Sequence, residues 1–103
     1  MSFGQIVADA RKKLGISQKD LAKRIKKEDG EPISPQYLND IERDRRNPPA
    51  ELLITEFARE LKVSKNYLMA AAGTLPEEFR RLVKDSDPAE VDRAFQVFRR
   101  RVR

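Results

Sequence analysis

Apolar residues recur at helical spacing from the start of the chain, with Phe3, Ile6, Val7, Ala10 and Leu14 on one face and polar or charged residues between them. Ser2 and Gln5 supply the S-x-x-Q pattern of a capping box and Gly15 a C-terminal stop, which predicts a first helix over about 3–14. Ser17 caps a second helical segment, SQKDLAKRIKK, with Asp20 at its third position and Leu21, Ala22 and Ile25 as its apolar stripe. Gly30 and Pro32 place a loop over 28–33. Ser34 followed by Pro35 then reads as an N-cap with proline at the first helical position, opening a third helix over about 35–43.

Pro48 and Pro49 interrupt the helical pattern, and Pro49 is suited to open a fourth helix whose Leu52, Leu53, Phe57 and Leu61 mark an apolar face, with an end near Lys62. Ser64 caps a short fifth helix carrying Tyr67, Leu68 and Ala71, closed by Gly73. Two more helices follow. Thr74 and Glu77 form a capping pair before Phe79, Leu82 and Val83, and Asp87-Pro88-Ala89-Glu90 is a second capping start. In the last helix Val91, Phe95, Phe98 and Val102 recur at steps of four, three and four, flanked by Arg93, Arg99, Arg100, Arg101 and Arg103. There is no strand pattern and no internal repeat. The expected fold is all-α, with five helices over 1–73 forming one unit and a two-helix extension over 74–103.

Composition narrows what such a fold can do. A chain of 103 residues suits one compact core. Without Cys or His, the chain has no disulfide, no thiolate or imidazole metal site, no Cys nucleophile and no Ser-His-Asp arrangement. Asp and Glu are the only abundant acid-base groups, and no spacing pairs them in a recognisable pocket, so an enzyme is disfavoured and no cofactor is expected. The net charge of +5 is a modest excess of 22 basic over 17 acidic residues, shared between the segment up to Gly73 and the one beyond it. No segment approaches the roughly 20 apolar residues needed to span a bilayer, and the first ten residues lack the pattern of a secretory signal, which gives a cytoplasmic protein as the default.

The third helix is divided in a way that points to nucleic acid. Leu38 and Ile41 share one face, while Gln36, Asn39, Asp40 and Arg43 follow the i, i+3, i+4, i+7 rule on another. A helix that reads the major groove needs this division, because polar side chains must meet base edges while the other face anchors it. Gln36 and Asn39 carry amides suited to adenine edges, and Arg43 suits guanine or a phosphate. Arg45, Arg46 and the turn at Asn47 are placed to hold the backbone without reading sequence.

Taken in order, RKKLGISQKDLAKRI, ISPQYLNDIERDRRNPP, the aliphatic pattern of the fourth helix and LKVSKNYL resemble the Cro and lambda-repressor-like helix-turn-helix proteins, the XRE family, over about 6–73. The resemblance implies that Gln18 contacts a phosphate or reaches back to the recognition helix. It implies that Gln36, Tyr37 and Asp40 sit where the family reads bases, with Ser34 at the start of that helix. It also implies that Arg11 and Glu42 form an internal ion pair joining the first helix to the third. Two departures stand out. The segment 28–33 is longer than the usual three- to four-residue turn and carries Glu28, Asp29 and Glu31, from which a tilted recognition helix is expected. Pro35 has no polar side chain to read a base, which moves readout toward Gln36, Tyr37 and the later turns of the helix.

Several of these residues carry a plainer reading beside the functional one. Tyr37 either stacks on a sugar or touches a thymine methyl, or it packs at the edge of the core. Asp40 accepts from cytosine N4, or pairs with Arg43, or is simply solvated. The arginines at the end of the chain either clamp DNA or complement the helix C-terminus. The stripe Val91, Phe95, Phe98 and Val102 packs on the first five helices or on a second copy of itself. One recognition helix covers few base pairs, so a homodimer reading two half-sites is expected. The function these readings favour is sequence-specific binding of double-stranded DNA by a dimeric transcription repressor at a palindromic operator. The competing reading, kept open by the acidic insertion, is a protein-interaction module of antitoxin or phage- or polymerase-adaptor type, with DNA contact secondary.

Overall fold

A computed structural model describes residues 1–102, and among these the chain forms α1 (Phe3–Lys13), α2 (Gln18–Arg24), α3 (Pro35–Glu42), α4 (Glu51–Leu61), α5 (Lys65–Ala71), α6 (Glu77–Asp85) and α7 (Pro88–Arg101). Arg103, expected to flank the last helix, lies outside the described residues. The architecture is all-helical. Val7, Leu21, Ile25, Leu38, Ile41, Ile54, Phe57, Leu68 and Met69 are fully buried and come from the first five helices and the residues that flank them. The packed helix pairs are α1 with α3, α4 and α5, α2 with α3, and α4 with α5.

Local chemistry fixes the starts of these helices. Ser2 and Gln5 form the reciprocal capping box of α1. The hydroxyl oxygens of Ser17, Ser34 and Ser64 accept from the backbone N–H groups of Asp20, Tyr37 and Tyr67, satisfying donors that a first turn leaves unpaired.

Helix α2 stops three residues earlier than its sequence pattern predicts. Ile25 is extended (φ −94°, ψ 110°), the Ile33 N–H donates to the Ile25 carbonyl at 2.9 Å and Lys27 N–H to the Glu31 carbonyl at 2.8 Å. Lys26 and Pro32 lie opposite each other as an isolated antiparallel bridge. The segment expected to be a loop is therefore a small hairpin, strand-like pairing that the helical periodicity of SQKDLAKRIKK concealed. Its reason is burial: Ile25 and Ile33 both enter the core, which pulls the two legs together. Pro32 fits because its missing N–H would face away from Lys26. Gly30, at φ +87°, closes the turn, and the Asp29 carboxylate accepts from the Glu31 N–H at 2.9 Å.

Two further starts differ from expectation. Helix α4 begins at Glu51 after Ala50, not at Pro49, and its N-terminus carries no side-chain cap. Thr74 does not cap α6, because its N–H donates to the Met69 carbonyl and the Gly73 N–H to that of Ala70, making Thr74 part of the Schellman ending of α5. Pro76 precedes α6 instead, and the free Glu77 N–H is taken by the Glu51 carboxylate at 3.0 Å. Glu51 also pairs with Lys65 at 2.9 Å and Arg80 at 3.4 Å. Hydrogen bonding to Lys65 outweighs the effect of burial and, with the Glu77 N–H and the positive charges of Lys65 and Arg80, holds the Glu51 carboxyl below its ordinary value. This cluster ties the start of α6 to the body. Asp87 stands at the start of α7, although its side chain makes no capping bond.

Candidate nucleic-acid interface

The recognition helix α3 is anchored by its inner face and by both of its ends. Leu38 and Ile41 are buried, and beside them lies a buried ion pair in which Arg11 Nε and Nη2 donate to the two Glu42 carboxylate oxygens at 2.6 and 2.9 Å. The side chains retain only 11% and 5% of their exposure. Arg11 Nη1 donates to the Ile16 carbonyl at 2.9 Å, so one guanidinium joins α1, the approach to α2 and α3. Hydrogen bonding to Glu42 raises the Arg11 guanidinium above its already high ordinary value and keeps it charged. Gln18 completes the arrangement, its Nε2 donating to Glu42 Oε1 at 2.9 Å and to Asn39 Oδ1 at 3.2 Å.

The far end of α3 closes with a Schellman motif in which the Asp44 N–H donates to the Ile41 carbonyl and the Arg45 N–H to that of Asp40. Asp44 holds the left-handed position (φ 57°) usually given to glycine. Its carboxylate explains the choice, for it accepts from Ser2 Oγ at 2.6 Å and from the Gly4 N–H at 3.1 Å, placing a negative charge at the N-terminus of α1. Sequence reading missed Asp44. The only signal was an aspartate one residue past a predicted helix end, inside a run of arginines that looks like a solvated turn.

On the outer face, Gln36 is exposed and Asn39 and Asp40 are half-buried, with Arg43, Arg45, Arg46 and Asn47 exposed around them. Asp40 accepts from Gln36 Nε2 at 3.1 Å and lies 3.8 Å from Arg46 Nε, not against Arg43. Arg43 Nε donates instead to Asn39 Oδ1 at 3.3 Å. Tyr37 packs partly against the core and carries Arg46 over its ring at 4.8 Å from the centroid. The Ser34 hydroxyl oxygen is occupied in capping α3. One surface thus gathers three amides, a charge-balanced carboxylate and three arginines. Val91, Phe95, Phe98 and Val102 are elsewhere, on α7 and just after its end.

The helix-turn-helix family model HTH_3 matches residues 7–68, from within α1 into α5. The chain belongs to this family, of XRE type. A chain of the SinR protein/SinI protein complex has a similar structure, with a TM-score of 0.56 and 26% identity over 95% of this chain and 94% of that one. No curated protein matches in sequence. The helix-turn-helix protein is thus a DNA-binding regulator in its family and fold, and the match ends before α6 and α7. Among the described residues no helix is long and apolar enough to cross a membrane.

Proposed function

We propose that this helix-turn-helix protein is a sequence-specific transcription repressor that binds a palindromic operator as a homodimer in the cytoplasm. The observation that carries the reading is the outer face of α3, where Gln36, Asn39 and Arg43 stand toward solvent on a helix anchored by a buried ion pair. Rigid placement matters because bidentate base contacts tolerate little error in position, and each discriminates by about 1–3 kcal/mol against the wrong base. Arg45, Arg46 and Asn47 follow at the exit of the helix and take the phosphate role, with Ser34 and Tyr37 at its start. Asp40 holds Gln36 and is offset by Arg46, so it acts through its neighbours rather than on cytosine.

Binding-site selection and titration test this. Gln36→Ala is expected to reduce discrimination between the selected duplex and random duplex. Arg46→Ala is expected to weaken both about equally and to lower the slope of log affinity against log salt by about 0.9. Intact discrimination in Gln36→Ala rejects the assignment of Gln36.

Dimerisation through 74–103 is supported by how little of that segment is covered. Phe95 is 52% and Phe98 59% exposed, Leu82, Val97 and Val102 are also exposed, and no residue of α6 or α7 is buried. A second copy would cover this surface and set two recognition helices one turn of DNA apart, about 34 Å. Light scattering at micromolar concentration is expected to give a dimer for the full chain and a monomer for Phe95→Asp with Phe98→Asp. A monomeric full chain rejects the arrangement.

A protein-interaction role is favoured by one feature, the exposed carboxylates of Glu28, Asp29 and Glu31 at the hairpin tip, which suit a basic protein surface better than DNA. The structural neighbour is itself a complex between two proteins. Loss of DNA binding without loss of a partner would select this reading.

A further inference from the structure

Two amides on the outer face of α3 look interchangeable in the sequence, and their hydrogen bonds make them different readers. Glu42 is a carboxylate, able only to accept, so the Gln18 atom 2.9 Å from Glu42 Oε1 is the NH2 group. That group has a second hydrogen, directed to the Asn39 atom 3.2 Å away, which must therefore be the carbonyl oxygen. Arg43 Nε, a donor only, lies 3.3 Å from the same oxygen and requires the same orientation. Both lone pairs of the Asn39 oxygen are occupied by protein donors, and what remains for a ligand is its NH2 group. Gln36 is the opposite case. Its NH2 gives one hydrogen to Asp40 Oδ1 at 3.1 Å and keeps the other, and its carbonyl oxygen has no partner among the described residues.

We propose that Gln18 is a specificity-determining positioning residue, through which the buried Arg11–Glu42 pair turns the Asn39 carbonyl inward so that Asn39 selects guanine and not adenine. The inference rests on the reading of α3 as a base-reading helix. An adenine edge offers a donor at N6 and an acceptor at N7, and needs an acceptor and a donor from its reader. Asn39 has no acceptor to give. A guanine edge offers two acceptors, N7 and O6, and takes N–H groups alone. Gln36 retains one donor and one acceptor, the pair that adenine requires.

The test is selection of bound sequences from random duplex by the full chain and by Asn39→Ala, Gln18→Leu and Asn39→Asp, with thermal unfolding of each. The base pair whose preference disappears in Asn39→Ala is the one Asn39 reads. It is expected to be G·C in the wild type. Gln18→Leu removes the part-buried donor that holds the Asn39 oxygen and leaves only the longer, exposed Arg43 bond, and is expected to cost about tenfold in discrimination of G·C from A·T at that pair alone. A merely structural effect of Gln18 would weaken every position together. Asn39→Asp keeps an oxygen for Gln18 and Arg43 and presents a second oxygen outward. It is expected to reverse the pair to C·G by accepting from cytosine N4, a result that does not depend on how well Gln18→Leu folds. An A·T pair at the Asn39 position, no position that depends on Asn39, or an unchanged preference in Gln18→Leu overturns the inference while leaving base reading by α3 intact. A full chain that selects no sequence overturns base reading itself, and this inference with it.

Discussion

Glu42→Ala is expected to lower folding stability by about 3–5 kcal/mol, because it strands the Arg11 guanidinium without its partner in a site almost closed to water. A domain of this size is typically stable by about 5–15 kcal/mol, so the loss takes a large share of the total. The cost lies in desolvation and not in the pair's own attraction. Replacing both members, Arg11→Met with Glu42→Leu, is therefore expected to restore most of the stability, since a well-packed apolar pair of similar volume is often as good as a buried ion pair. The double variant nevertheless removes the acceptor that orients Gln18 and, through it, Asn39. It should fold and still lose selectivity at the base pair that depends on Asn39. Urea unfolding of the single and double variants measures the first effect. A loss below about 1 kcal/mol in Glu42→Ala, the level of a surface pair, would mean that water reaches the site.

Gly4→Ala has the next largest expected effect, and helix propensity alone gives it the wrong sign. In an ordinary helix interior the change stabilises by about 1 kcal/mol. Here an added Cβ would lie 2.3 Å from the Ile41 carbonyl oxygen, 2.6 Å from Asp44 Oδ1 and 2.7 Å from the Glu42 carbonyl oxygen. Two of these atoms are backbone in the last turn of the recognition helix, and the third holds the exit in place. The two carbonyls cannot yield without moving α1 away from α3, and the Asp44 carboxylate cannot without giving up its bonds to Ser2 and Gly4, so a destabilisation of about 1–3 kcal/mol is expected. In a domain of about 100 residues each kcal/mol lowers Tm by about 4–8 °C. The same displacement tilts α3, and weaker DNA binding by the fraction that remains folded is expected alongside it. A Tm within about 2 °C of wild type would show that the two helices separate easily.

Both variants act where α1 meets the end of α3, and the sequence announced only half of that junction. Arg11 and Glu42 came from resemblance to the family, whereas Gly4 and Asp44 carried no signal of their own. Glycine in a first turn reads as a small propensity penalty, and aspartate among arginines reads as a solvated turn. Their meaning depends on a contact between residues about 40 positions apart.

The features legible from residue order alone are local in origin. Apolar periodicity and serine caps located seven helices, because each signal acts within one or two turns of the chain. The order of those pieces was enough for the family. Tertiary structure decided the rest. Ile25 and Ile33 turned a predicted helix end and loop into a hairpin because both side chains are buried in one core. Thr74 left α6 for the end of α5, and Glu51 took over the free N–H of Glu77 from another helix. At the candidate interface the sequence placed Gln36, Asn39 and Asp40 on one face, and left the two amides equivalent. Which of their atoms remain free was decided by Gln18 and Asp40, because a hydrogen bond is consumed by whichever partner the fold brings within about 3 Å.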